Sequence, residues 1–290
     1  MYTDEDIRSN RNSMQDIDGN NLHSSDEYNL TPHEASKSLT FIYANINSWS
    51  ANAQNTLLDS SVHADILFMV ETHQQSGTQI KADLRQNGRR AFLNHAAPSA
   101  KSALGSHGGE TIAPLNHLNI RPVDQELLRE IGKVTAEPLR WVVAVLLRKA
   151  LPIMVGNVYM WDSEDLSDRN INILRQLYIV KQVIQLPCFI IGDFNMTPET
   201  LRSSVWLDAL QVETLVADTC TTLNTTVKVI DYAICSPEIQ HLFKLNVHDE
   251  TSFSPHYSLQ VNVLASPRTI IGNVLKIPSP ALRSSSRSLG

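Results

Sequence analysis

Apolar positions fall along this chain in two rhythms, short runs of strand type and stretches of helical period. Leu39 to Ile46 alternates as a strand does, and Ala64-Asp65-Ile66-Leu67-Phe68-Met69-Val70 is a near-continuous apolar run of the kind that forms a buried strand. Trp141 to Arg148 and Pro152 to Met160 read as two antiparallel strands joined by Lys149-Ala150-Leu151. Phe189-Ile190-Ile191, preceded by Leu186-Pro187-Cys188, reads as a strand buried on both faces. Lys228 to Cys235 and His256 to Leu264 supply two more. Helices fall between the strands: a short one over Ala51 to Leu58, another near Lys81 to Gln86, and the clearest over Asp165 to Gln185. In that last helix Ile173, Leu177, Val180 and Ile184 recur at helical spacing, which predicts core packing and no chemistry. Gln74 to Arg121 is the least regular stretch, and its Gly108-Gly109 pair suits a hairpin turn. Mostly antiparallel strands with helices outside them imply an α/β protein with two sheets packed face to face.

Composition adds bounds. A chain of 290 residues with 42% apolar content can bury a proper core. Its net charge of −6 is uneven: residues 1–38 carry eight acids and three bases, and residues 266–290 carry four bases and no acids. There is no large basic excess, which excludes a nucleic-acid binder that works by charge alone. Residues 1–37 are rich in Asp, Asn, Ser and Gln without a hydrophobic period, so a disordered acidic tail is expected there. A domain over 38–265 and a flexible basic Ser/Pro-rich tail over 266–290, carrying Lys276 and Arg283, complete the expected organisation. The N-terminal stretch lacks a basic n-region and an apolar h-region, and no apolar run approaches a membrane span; a cytoplasmic or nuclear monomer is expected. Cys188, Cys220 and Cys235 show no CxxC spacing, and Cys188 and Cys235 fall in predicted buried strands, so reduced core thiols are expected.

Candidate chemistry gathers where apolar runs stop. After Ile191, Gly192 ends the strand and Asp193 and Asn195 follow two residues apart. If the backbone stays extended, both side chains point the same way. Thr197, Pro198 and Glu199 then read as N-cap, N1 and first turn of a helix. A carboxylate beside an amide suits a hard metal ion, an activated water or a phosphate oxygen, although Gly, Asp and Asn also make ordinary turns. Glu71 ends an apolar run, where an unused charge is costly. Asp231 sits among Val229, Ile230, Ala233 and Ile234, where a carboxylate needs a partner.

Gly192-Asp193-Phe194-Asn195 resembles the signature of the endonuclease/exonuclease/phosphatase superfamily, whose fold is named after deoxyribonuclease I. Further signature positions appear in the family's order: Asn45 in Tyr43-Ala44-Asn45-Ile46-Asn47, Glu71 in Val70-Glu71-Thr72-His73, and Tyr159 in Gly156-Asn157-Val158-Tyr159. Asp231 follows in Val229-Ile230-Asp231-Tyr232 and His256 in Ser254-Pro255-His256-Tyr257, so the resemblance covers roughly residues 39 to 265. It implies a four-layered α/β sandwich with its site at one end. It also implies that Gly108-Gly109 precedes a strand bearing polar groups near that site.

The resemblance implies roles as well. Glu71, with help from Asn45, would hold Mg²⁺ or Mn²⁺; Asp193 would orient or deprotonate a water; Asn195 would position it. His256, supported by Asp231, would stabilise developing charge, and the Tyr159 hydroxyl would bind a phosphate oxygen. Asn47 and Pro255 depart from the family pattern, which often has an acid at the first position and usually an Asp at the second. The other histidines, including His63, His73, His107 and His248, are expected to be surface or structural. The expected activity is metal-dependent phosphodiester hydrolysis, with a nuclease acting on DNA or RNA placed first. A phosphoinositide or lipid-head-group phosphatase or phosphodiesterase is the second reading. A catalytically weak scaffold or binding domain of the same fold is the third.

Overall fold

Two six-stranded sheets and a two-stranded ribbon organise the described residues of the computed structural model: 38–98, 105–135, 137–147, 151–219, 221–222 and 228–264. Both expected tails lie outside these residues, with Lys276 and Arg283, as do Cys220 and the Lys149-Ala150 joint. The first sheet runs in the order β13 (Phe243–Phe253), β14 (His256–Val263), β1 (Leu39–Asn45), β2 (Ile66–Val70), β6 (Glu110–Pro114) and β3 (Phe92–Asn94). The second runs β11 (Glu213–Leu215), β12 (Asp231–Cys235), β10 (Cys188–Asp193), β9 (Ile153–Tyr159), β8 (Trp141–Leu146) and β7 (Ile120–Pro122). The ribbon pairs β4 (Ala97–Pro98) with β5 (Ser106–His107). Two parallel pairs, β1 with β2 and β9 with β10, make each main sheet mixed.

Strand alternation sorts the apolar side chains into layers. On β1, Phe41 and Tyr43 enter the core between the sheets, while Ile42 and Ala44 face the other way. That outer core takes in Leu57 of α1 (Ala51–Leu57) and Ile80 and Leu84 of α2 (Thr78–Gln86). On β10, Phe189 and Ile191 point inward and Ile190 points out. Ile190 shares the outer core with Leu128 and Ile131 of α3 (Gln125–Thr135) and Ile173, Leu177 and Val180 of α4 (Asp168–Ile184). The result is helix, sheet, sheet, helix: the expected four-layered α/β sandwich. In its centre Phe189 stacks on Phe243 at 4.3 Å, and Phe41 meets Phe68 edge-on at 5.6 Å. Asn157, wholly buried on β9, stitches the sheets by donating to the carbonyls of Met69 (2.8 Å) and Thr111 (3.2 Å). Cys188 and Cys235 are free and buried.

Helix α4 begins three residues later than expected because Ser167 caps it, its side chain accepting from the Asn170 amide. The sequence reading had no place for α3, β7 or the eleven residues of β13, a polar edge strand whose register shifts between His248 and Phe253. Gly192 is demanded by close strand approach: a Cβ there would run into the Val158 carbonyl oxygen. Beyond that contact Asp193 pairs with Tyr159 on one side and Asp231 on the other. Three candidate side chains therefore lie in one row across the end of the second sheet. Among the described residues no helix is long and apolar enough to cross a membrane.

Candidate active site

Asp193, last residue of β10 and 1% exposed, is the hub of this row. Its Oδ1 accepts from the Asn195 backbone N–H at 2.9 Å, and its Oδ2 accepts from Asn45 Nδ2 at 3.1 Å. His256 Nε2 stands 3.8 Å from the same Oδ2. The other ring nitrogen, Nδ1, meets Asp231 Oδ2 at 2.8 Å, and Asp231 Oδ1 accepts from the Tyr43 hydroxyl at 2.8 Å. Thr221 Oγ1 accepts from the Asp231 amide at 3.1 Å. Opposite, the Tyr159 hydroxyl donates to Glu71 Oε1. The structure thus brings together all seven candidates: Asn45, Glu71, Tyr159, Asp193, Asn195, Asp231 and His256.

Local backbone explains how each side chain is presented. Helix α5 (Pro198–Arg202) follows the Asp193 turn as expected, capped by Thr197 with Pro198 leading. The backbone at Asn195 is not extended: its φ of 51° is left-handed, a conformation that Asn tolerates. This bend turns its amide N–H back to Asp193, and Asn195 Nδ2 donates to the Met160 carbonyl at 2.8 Å, leaving Oδ1 as the side chain's open acceptor among the described residues. Glu71 likewise leaves β2 through a left-handed φ of 55°. The next two amides, of Thr72 and His73, donate to Gly109 and Gly108 at 3.0 Å each. Asn47 is exposed at φ 59°, its amide donating to Asn45 Oδ1 at 3.3 Å, so the position that departs from the family pattern is a turn outside the cluster. Ser254-Pro255 makes the two-residue turn that delivers His256 at the start of β14.

Burial and charge set the protonation of these groups. Burial, then the neighbouring Asp231 charge, pushes the Asp193 carboxyl well above its ordinary value. Burial works against the His256 imidazolium, but Asp231 and Asp193 outweigh it and raise the group to about 9. Burial, then Glu71, raises the Tyr159 phenol, which keeps it a donor. At Glu71 burial pushes upward, and bonds from the facing His73, Tyr159 and Asn45 side chains more than offset it.

Sequence reasoning missed three neighbours. His73, expected to be surface or structural, stands 3.9 Å from Glu71 Oε1; its place two residues after Glu71 was the available signal. Tyr43 lies two residues before Asn45 on β1, hence on the same face. Arg140 gave no signal in sequence. It is 4% exposed, its guanidinium lies 3.7 Å from the Trp161 ring and 4.4 Å from the Tyr159 ring, and its Nε donates to the Tyr159 carbonyl at 2.9 Å.

The site's charge balance fits a divalent cation. Glu71, Asp193 and Asp231 converge with few buried cations to oppose them, and oxygen donors are the ligands a hard ion takes. Asp193, Asp231 and His256 offer ligand atoms within 4.8 Å of one another, a group that could hold a metal. His256 Nδ1 and both Asp231 oxygens already hold hydrogen bonds, as do Asn45 Oδ1 and Glu71 Oε1, so binding a cation there would exchange one or more of these bonds for the ion.

Buried carboxylates, an Asp–His pair and phenol and amide donors at one end of an α/β sandwich define a class of phosphoester-cleaving proteins. The model of the Endonuclease/Exonuclease/phosphatase family matches residues 42–256, and the chain belongs to that family. No curated protein matches the chain. Among solved structures, the endonuclease domain of TRAS1, a telomere-specific non-LTR retrotransposon, is 16% identical with a TM-score of 0.58, covering 78% of this chain and 98% of its own. The AP endonuclease LMAP from Leishmania major is 12% identical with a TM-score of 0.58, covering 92% of this chain and 100% of its own. The 3' phosphatase NExo from Neisseria, bound to a product DNA hairpin, is 13% identical with a TM-score of 0.52, covering 78% and 99%. At these identities the likeness is one of fold.

Proposed function

We propose that this chain is a metal-dependent phosphodiesterase, and specifically a nuclease acting on DNA or RNA. The observation that carries the reading is His256, paired through Nδ1 with buried Asp231 at 2.8 Å and facing Asp193 with Nε2 at 3.8 Å. Asp193, fixed by donors from Asn45 and Asn195, orients the attacking water and takes its proton. Asn195 offers Oδ1 to hold that water in line. As the water oxygen bonds to phosphorus and the ester bond to the leaving oxygen breaks, the His256 imidazolium stabilises the charge that develops. Asp231 fixes the ring's orientation and favours its charged form. The Tyr159 hydroxyl, backed by Arg140, gives its single proton to Glu71 in the free site and would turn it to a non-bridging oxygen when substrate binds. Glu71 and Asn45 would hold Mg²⁺ or Mn²⁺, which when bound neutralises charge on the phosphate.

A nucleic-acid substrate is supported by the structural relatives, whose names describe endonucleases and a phosphatase bound to DNA. The test is a panel of plasmid DNA, oligo-RNA and inositol phosphates offered with Mg²⁺ or Mn²⁺ and with EDTA. Cleavage of nucleic acid that EDTA abolishes is expected. Turnover of inositol phosphate alone would transfer the site to a lipid-head-group phosphatase, and a folded protein with no turnover would be a binding domain of this fold.

A further inference from the structure

Behind the loop that carries Glu71, a second polar cavity of about 100 Å³ lies between β3, the β4–β5 ribbon, β6 and the start of β8. Its floor is buried and its rim, at His95 and Pro138, is exposed. Two floor groups of opposite charge converge on one point. A Cβ on Gly108 would stand 3.0 Å from Glu110 Oε1 and 3.6 Å from Arg140 Nη2, and Gly108, at φ 72°, has none. Space is thus held open where the carboxylate and the guanidinium face each other.

They do not satisfy one another. Glu110 is 1% exposed; its Oε2 accepts from Asn94 Nδ2 at 2.9 Å, but buried Oε1 has no hydrogen-bond partner. Arg140 spends Nε on the Tyr159 carbonyl, and among the described residues it forms no ion pair with Glu110. Burial raises the Glu110 carboxyl to about 7, and an unmatched buried carboxyl oxygen is costly, so the cavity can supply a donor to Glu110 Oε1 and an acceptor to Arg140. A cation would meet Arg140, an anion would meet Glu110, and an apolar group would strand both. The ligand that satisfies both is neutral, with a donor and an acceptor side by side. Nucleobase edges carry such a pair, an N–H beside a carbonyl or ring nitrogen, at positions that differ from base to base, so two fixed partners separate one base from another. The lining adds one half-buried aromatic ring, that of His107. Unstacked bases are bound in this way, by ring faces and by hydrogen bonds along one edge.

We propose that the cradle over Gly108 is a base-reading subsite, in which Glu110 Oε1 and Arg140 Nη2 bind the edge of an unstacked nucleobase in the substrate strand. The inference rests on the nuclease reading, since it assigns that substrate a base contact. At roughly 10–15 Å³ for each molecule, the cradle has room for several waters.

The test is binding first and turnover second. Four fluorescein-labelled hexanucleotides, each built from a single base, are titrated in EDTA as DNA and as RNA against wild type, Glu110→Gln and Gly108→Ala. Wild type should separate its best and worst base by about tenfold or more in Kd, the size of one charge-assisted edge contact. Glu110→Gln, which can turn an amide donor toward the ligand in place of the acceptor, should bring the four within about threefold. Gly108→Ala, which fills the cradle, should do the same while Glu110 stays in place. Hydrolysis of base-free bis(p-nitrophenyl) phosphate should be unchanged in Glu110→Gln. Equal affinity for all four bases in wild type overturns the proposal, as does a preference that survives in both folded variants. A preference for DNA or RNA without one for base would give the cradle to a sugar hydroxyl and overturn it too. Base-selective binding without cleavage under any metal would defeat the nuclease reading and leave the cradle standing; cleavage without base selectivity would do the reverse.

Discussion

Asp231→Asn puts the electrostatics of the site to the sharpest trial. The substitution is isosteric and removes the charge that faces His256 Nδ1 at 2.8 Å, in a position with no exposure. In the native site burial lowers the imidazolium, and Asp231, the largest opposing charge, leads the rise to about 9. Without that charge His256 should drop toward its ordinary 6.5, because burial remains and only Asp193 and Glu71 are left to oppose it. From 9 to 6.5, at about 1.4 kcal/mol for each pH unit, the lost preference for the charged ring is at most roughly 3.5 kcal/mol. The folded value lies above the unfolded one, so this stabilisation is complete below about pH 6.5 and disappears as pH rises through 9. The assay is an NMR titration of the His256 ring in metal-free wild type and variant. At pH 7.5 about nine variant molecules in ten then carry a neutral ring, and turnover should fall by about tenfold. A His256 that still titrates near 9 in folded Asp231→Asn would refute the reasoning, since another group would then hold the charge.

Glu71→Gln should raise the Mg²⁺ or Mn²⁺ concentration needed for half-maximal binding at least about tenfold, because a charged oxygen is lost from a hard-ion site; calorimetric titration measures it, and unchanged affinity would place the ion elsewhere. Arg140→Lys keeps the charge but loses the Nε bond to the Tyr159 carbonyl and the planar contact with Trp161. It should lower kcat by about tenfold with a smaller change in KM, the split expected if Tyr159 acts on the transition state; equal losses in both would make Arg140 a binding residue only. Gly192→Ala forces a Cβ against the Val158 carbonyl and should cost about 3 kcal/mol in urea unfolding, whereas an unaltered midpoint would mean that β9 and β10 do not lie so close.

Much of this structure was legible in one dimension, and the illegible parts share a cause. Strands β1, β2, β8, β9, β10, β12 and β14 announced themselves because each is an apolar run or an apolar–polar alternation, as burial in a two-sheet sandwich requires. The Asp193 turn was legible for a local reason, with Gly192 before it and the Thr197-Pro198 helix start after it. The backbone of Asn195 was not, because an Asn two residues from an Asp fits an extended chain as well as a left-handed one. Contacts between distant strands were also hidden. Tyr43 and Asp231 lie 188 residues apart, and Asn45 and Asp193 lie 148 apart. Arg140 gave least away, since what defines it is the two rings and the carbonyl it meets after folding. The β13 strand was missed because an edge strand can be polar along much of its length and so lacks the apolar run.

The central claim is that Asp193 and the Asp231–His256 pair act together on a phosphodiester. Its most direct test is single-turnover cleavage of a labelled oligonucleotide by wild type, Asp193→Ala, His256→Ala and the double variant, at saturating Mg²⁺ and matched circular dichroism. Each single variant should lose about two to four orders of magnitude. The double variant should be scarcely slower than either, because water activation and charge stabilisation serve one step. Retained cleavage in either folded single variant, or losses that simply multiply in the double, would contradict the account.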